Sequence, residues 1–331
     1  MTQLTRLTKL LLAAGLLLAV GFCALVWWPV PLSEPKLLVR VPPGASLKVA
    51  AQSLHAGGVQ VSPWIISGVG RLAGLSTSIK AGSYEFDQGI SLWTLLRKLS
   101  SGDTSQGEVL FVEGINFREL RSKLNAQPDL IHTTQSLSDR AIMAKLGVPD
   151  RQPEGWFFPD TYRFDKRSED LDVLSRAMTA MQKQLDTVWQ GRDANLPLKS
   201  PYELLILASI VEKETGAAAD RAQIAGVFVN RLRKGMRLQT DPTVIYGMGT
   251  RFDGNLRKGD LQRDTPHNTY TRTGLPPTPI CMPGQASLQA AAHPAATDAL
   301  YFVARGDGTS QFSASLDSHN QAVNQYQRGK P

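Results

Sequence analysis

The stretch LLILASIVEKETGAAADRAQIAGVFVNRLRKGMRLQTDPTVIYGMG, Leu204 to Gly249, drives an apolar run into the acidic residues Glu212 and Glu214. A polar block holding Gln239, Thr240, Asp241 and Tyr246 follows. Ser200, Pro201 and Glu203 supply an N-cap oxygen, a pre-set first turn and a capping-box acid, so a helix is expected to begin there and to stop at Gly216. Asp220 with Gln223 three residues on repeats the start signal. A second helix should run through Ile224, Val227, Phe228 and Leu232 to Gly235 after a short turn.

On the first helix Leu207, Ile210, Val211 and Glu214 recur at spacings of three and four, so Glu214 extends the apolar stripe while Glu212 and Lys213 point away from it. Glu214 also falls in the last turn, where the negative end of the helix dipole disfavours a carboxylate. Dry surroundings and the dipole both raise a carboxyl pKa, and a glutamic acid that stays protonated near neutrality is what general acid catalysis requires. The competing reading is a solvated Glu at a helix end.

Outward from this segment, the 331 residues suffice for an anchor and two or three compact units. Leu10 to Trp28 carries no charge, is preceded by Arg6 and Lys9 and is closed by Trp27, Trp28 and Pro29, which fits one membrane span with a cytoplasmic N-terminus. A cleaved signal peptide is the rival reading, but no small-x-small site follows, and Phe22 before Cys23 does not suit a lipoprotein site. An uncleaved signal anchor is therefore expected, with everything after Val30 outside the cytoplasm.

The net charge is +7, with Lys and Arg scattered, which suits anionic lipid or an anionic wall polymer. No nucleic-acid motif appears, and nucleic acid is not an expected partner. Cys23 in the span and Cys281 in a distant loop give no intramolecular disulfide, and His55, His132, His267, His293 and His319 lack ligand spacing. No metal and no cofactor are expected.

The expected organisation is α+β: residues 1–30 tip and anchor, 31–39 linker, 40–104 a small α+β subdomain, and 105–331 a larger mixed α/β domain. Pro29, Pro31, Ser33 and Pro35 read as a short stiff linker. The subdomain reads strand (Leu37–Val41), helix (Ser46–His55), helix (Ser62–Ala73), strand (Ser83–Phe86) and helix (Ser91–Ser100), with Ser46 and Ser91 as N-caps and Gly57 and Gly102 as stops. It holds no acidic cluster suited to catalysis. Beyond it come a strand at Glu108–Val112 and a helix at Asn116–Asn125. EGWFFPDTY, Glu154 to Tyr162, sets aromatics around Glu154 and Asp160, a combination that serves carbohydrate sites and also ordinary cores. Asn268 to Gly284 is too rich in Pro and Gly for a regular element and should be an ordered loop, and Leu300–Ala304 and the region of Phe312 should be strands around a turn at Gly306–Gly308.

Several separated segments together resemble one family. ASIVEKET (Ala208–Thr215), VNRLRKGMRLQTDPTVIYG (Val229–Gly247), EGWFFPDTY (Glu154–Tyr162), NTYTRTGLPP (Asn268–Pro277), AAAHPA (Ala290–Ala295) and LYFVARGDG (Leu300–Gly308) are similar to those of the endolytic murein transglycosylases, the YceG-like proteins, over nearly the whole chain. The resemblance implies an inner-membrane, single-pass protein whose catalytic domain is periplasmic, with a LysM-like subdomain near residues 40–104. It implies a lyase that cuts the β-1,4 bond between N-acetylmuramic acid and N-acetylglucosamine within nascent peptidoglycan, leaves 1,6-anhydro ends and so terminates glycan elongation. Glycan strands, the inner membrane and peptidoglycan synthases are the implied partners.

The family's catalytic acid, the second Glu of its EKE segment, falls on Glu214. Gln239, Thr240, Asp241 and Tyr246 match the block beside it and, with Glu154, Asp160, Asn268 and Tyr270, are the substrate-binding candidates. Glu214 would protonate the leaving oxygen and then accept a proton from the muramic C6 hydroxyl, so that no water enters. Asp241 or Asp160 as a second carboxylate would instead support a hydrolytic muramidase. A non-catalytic glycan-binding scaffold is the third reading.

Overall fold

The computed structural model describes residues 2–328 and is mixed α/β. In chain order the elements are α1 (Thr2–Trp27), β1 (Lys36–Val41), α2 (Leu47–Ala56), α3 (Pro63–Leu72), β2 (Gly82–Asp87), α4 (Leu92–Ser101), β3 (Gln106–Leu110), α5 (Phe117–Asn125), α6 (Asp139–Lys145), β4 (Thr161–Asp165), α7 (Asp170–Gly191), α8 (Pro201–Glu214), α9 (Arg221–Arg233), α10 (Asp241–Met248), α11 (Lys258–Gln262), α12 (Gln285–Ala292), β5 (Tyr301–Ala304), β6 (Ser310–Ser313) and α13 (Leu316–Val323). They fall into two compact units, Met1–Glu108 with Arg163–Ser168, and Val109–Tyr162 with Glu169–Pro331. The paired strands β3 and β4 carry the chain from one to the other and back.

In the first unit β1 and β2 pair antiparallel, Lys36 opposite Asp87 and Val41 opposite Gly82. Strand alternation buries Leu37, Val39 and Val41 on one face, where they meet Tyr84, Phe86 and the apolar sides of α2 and α4. Ser46 and Ser91 cap α2 and α4 by accepting from Val49 N and Thr94 N, and Gly102 closes α4 in the left-handed conformation that glycine adopts without steric cost. The apolar helix α1 is long enough to cross a bilayer.

The second unit is built around α8. Ser200 caps it by accepting from Glu203 N (3.3 Å), but the Glu203 carboxylate reaches Lys199 N (2.6 Å) instead of closing a capping box on Ser200. The expected single apolar stripe gives way to a run of eight consecutive buried residues. Every residue from Leu204 to Val211 is buried, because α7, α9, α10 and α12 surround the helix, and a helix enclosed on all sides has no polar face to spare. Each of its large apolar side chains contributes roughly 1.5–3 kcal/mol by burial, so cutting Leu207 back to Ala should cost about 2–5 kcal/mol.

The α8 helix ends at Glu214, with Thr215 as its cap, two residues before the expected stop. Asp220 does not cap α9 either. A turn of 3₁₀ helix precedes that helix, and the Asp220 carboxylate accepts from Ser310 N (2.6 Å), tying it to the β5–β6 hairpin. Two glycines permit close approach: a Cβ at Gly226 would lie 2.7 Å from Ala295 O, and one at Gly155, which has φ +83°, would lie 2.6 Å from Pro279. Residues 268–284 form an irregular, hydrogen-bonded segment, and the tail folds as the antiparallel pair β5–β6, Tyr301 opposite Ser313.

Candidate active site

Glu214 is the last residue of α8, so its half-buried carboxyl sits where the helix carbonyls point. Burial pushes its pKa up and the neighbouring Asp241 adds to that, while a hydrogen bond donated by the Thr240 hydroxyl to Oε1 pulls the other way. The other oxygen, Oε2, is the one left to carry a proton.

Thr240 is itself immobilised. It is 2 % exposed, its N–H donates to Thr269 Oγ1 (3.1 Å), and its carbonyl accepts from Thr243 Oγ1 (2.7 Å). Gln239 N donates to Thr269 O (3.1 Å), so the 239–240 segment is pinned to the NTY turn. Gln239 has φ +50°, a left-handed conformation that costs a non-glycine residue about 1 kcal/mol or more. Arg231, 8 % exposed, helps to hold it by donating to the carbonyls of Arg237 and Leu238 and to Gln239 Oε1. Asp241 opens α10, and its Oδ1 accepts from the Tyr270 hydroxyl (2.6 Å). Burial and that carboxylate both push the Tyr270 pKa up, so the phenol stays a donor.

The candidates thus separate into groups. Glu214, Gln239, Thr240, Asp241 and Tyr270 form one hydrogen-bonded neighbourhood. Glu154 and Tyr246 form a second: Glu154, 6 % exposed, accepts from Phe117 N at the start of α5 (3.1 and 3.2 Å) and from the Tyr246 side chain. Burial pushes the Glu154 pKa up to about 7. Tyr246 packs edge-on against His267, whose Nε2 meets Thr278 Oγ1 at 2.9 Å.

Asn268 is fully buried, its Nδ2 donating to the carbonyls of Asp260, Leu261 and Arg263 (3.3, 3.0 and 2.7 Å) and its Oδ1 accepting from Tyr270 N (2.8 Å). Both ends of that amide are occupied in shaping the turn that presents Tyr270. Asp160 is exposed and accepts from Thr161 N (2.7 Å) at the start of β4, outside both groups.

Thr269, Thr243 and Arg231 also hold the site, and no local sequence signal marks them. Thr269 lay inside the quoted NTY segment, and its value comes from a hydroxyl that only the fold brings to Thr240. Glu212 has its own task, accepting from Gly284 N (3.0 Å) at the entrance to α12. Ser209 bonds Ile280 N (3.0 Å), and burial raises the Cys281 thiol pKa well above its usual value, leaving it an inert packing group. Among the described residues no cluster of His, Cys, Asp and Glu could hold a metal ion. Cavities are lined by Asn268, Thr269 and Arg272 and, separately, by Trp156, Tyr202 and Thr278; Glu214 lines neither.

Residues 39–325 match the model of the YceG-like family. The chain is 32 % identical over 311 residues to an endolytic murein transglycosylase of Bacillus subtilis (strain 168), covering 89 % of this chain and 86 % of that one. It is 26 % identical to an endolytic murein transglycosylase of Streptococcus pneumoniae (strain D39), covering 90 % of this chain but only 60 % of the longer relative. A 2.6 Å crystal structure of a YceG-like protein from Listeria monocytogenes superposes with a TM-score of 0.55 at 29 % identity, covering 87 % of this chain and 99 % of that one. With the family's model matched over residues 39–325 and a Bacillus relative 32 % identical along most of both chains, the chain belongs to the YceG-like family.

Proposed function

We propose that this protein is an endolytic lytic transglycosylase of peptidoglycan with Glu214 as its acid and base. The observation that carries the reading is the Glu214 carboxyl itself, raised in pKa by burial at the end of α8 and held at Oε1 by the Thr240 hydroxyl. The names of the relatives from Bacillus and Streptococcus support the substrate class.

The protonated Glu214 gives its proton to the oxygen linking muramic C1 to the next glucosamine, and the C1–O bond breaks with its electron pair on that oxygen. Positive charge develops at C1, and the muramic C6 oxygen bonds to C1 as its hydroxyl proton passes to the Glu214 carboxylate. The products are a new glucosamine 4-hydroxyl and a 1,6-anhydromuramic end; the acid is restored and no water is consumed. Thr240 favours the ionised form that exists midway, and burial favours the protonated form that starts the cycle.

In this reading α1 anchors the chain in the inner membrane with its N-terminus in the cytoplasm and the rest in the periplasm. Residues 40–104 act as a LysM-like module that positions glycan for residues 105–331, and cleavage ends the growth of a nascent strand made by a partner synthase. Mass analysis of products formed from murein in oxygen-labelled water tests the chemistry. Anhydro ends without label are expected. Labelled reducing ends would favour a muramidase using the nearby Asp241, and no cleavage would favour a binding scaffold.

A further inference from the structure

The apolar helix α1 does not end in a free tether. Its side chains from Leu10 to Leu25 are uncovered by protein, yet Val26, one residue before its end, is 5 % exposed and joins the cluster of Tyr84, Leu92, Leu95 and Leu96. Val30 is equally buried in that cluster.

The Pro-rich segment that follows is stitched down residue by residue. Val30 N donates to Ile90 O (2.7 Å), Gln60 N to Pro31 O (2.9 Å), Ser33 N to Gly58 O (2.9 Å) and Gln88 N to Pro35 O (2.8 Å), while Pro29 bridges Ser91. A spacer would leave those backbone groups to water; swinging the unit away would break each of these bonds and expose two valines.

This fixes depth. The Trp27 ring lies 5.9 Å from that of Trp93 at the start of α4, so whatever level of the bilayer Trp27 reaches, Trp93 reaches too. Trp27 ends the apolar helix, at the height where a span leaves hydrocarbon and where Trp is favoured, its ring apolar and its N–H wet. Trp27 and Trp28 remain 61 % and 73 % exposed, and the adjoining Gln88, Gly89 and Thr94 are exposed as well.

We propose that the first unit is seated directly on the bilayer that holds α1, with Trp27, Trp28 and Trp93 as one interfacial aromatic cluster and the Gln88–Thr94 segment against the phospholipid headgroups. The inference rests on reading α1 as a membrane span. A unit held this way meets polymer that lies against the membrane surface, which deepens the proposed preference for nascent strands.

The test uses the wild-type full chain in vesicles of phosphatidylethanolamine and phosphatidylglycerol containing a trace of lipid with a photoactivatable headgroup. After illumination, tryptic peptides are mapped for lipid adducts. Adducts of comparable yield are expected on the peptide carrying Trp27 and Trp28 and on the peptide carrying Trp93, centred on Gln88–Thr94. Adducts on the first peptide alone would overturn the seat while leaving the span intact. Adducts on neither, with release of the protein by high salt, would overturn span and seat together.

Discussion

Thr240 donates its hydroxyl hydrogen to Glu214 Oε1, joining the entrance of α10 to the last residue of α8. The bond favours the carboxylate, burial favours the acid, and burial is the larger effect. The net effect is a Glu214 pKa raised above the ordinary carboxyl range, with the oxygen that Thr240 does not touch as the place for the proton.

Glu214→Gln keeps the shape and the bond to Thr240 but cannot deliver a proton. Turnover should fall by about a hundredfold or more, the usual scale of general acid catalysis, with the melting temperature preserved. Glu212→Gln should do much less, because the amide oxygen can still accept from Gly284 N. Steady-state rates and thermal melts of both variants check this.

Thr240→Val removes the donor. The Glu214 pKa should rise further, so the alkaline limb of the pH–rate profile, where the acid is lost, should move to higher pH while the maximal rate drops by about tenfold. Thr240→Ser should restore both. A limb that stays in place would separate Thr240 from the titration.

Glu154 is neutral in the fold until about pH 7 but ionises from 4.5 once unfolded. The sign follows: the folded state holds the proton more tightly, so this group's contribution is present below the unfolded pKa and is lost as pH rises through about 7. Stability should decline over that window by an amount of order 3 kcal/mol. Glu154→Gln should flatten the decline, as read by denaturant melts at about pH 3.5 and about pH 8, roughly one unit either side of the window.

Asn268→Ala leaves the carbonyls of Asp260, Leu261 and Arg263 without their donor. The loss should be about 2 kcal/mol or more, with Tyr270 losing its placement opposite Asp241. A thermal melt lowered by several degrees is expected. Unchanged stability with weakened substrate binding would return Asn268 to a direct role in the site.

The sequence made much of this legible where the signal is local. Ser46, Ser91 and Ser200 cap the helices they precede, and the alternation of Leu37, Val39 and Val41 marks a half-buried strand. The stripe that points to Glu214 is replaced in the structure by burial of every residue from Leu204 to Val211, and Glu214 follows that run as a half-buried last residue. Asp220 failed as a cap because a partner distant in sequence, Ser310 N, claims its carboxylate. Thr269, Thr243 and Arg231 escaped notice for the same reason. Their effect comes from bonds across the fold that no spacing records.

The measurement that tests the central claim most directly is the product spectrum of the purified protein acting on murein in oxygen-labelled water, wild type beside Glu214→Gln. Wild type should yield 1,6-anhydromuramic ends free of label, and the variant should yield almost none. Labelled reducing ends, or a Glu214→Gln variant as active as wild type, would contradict the account.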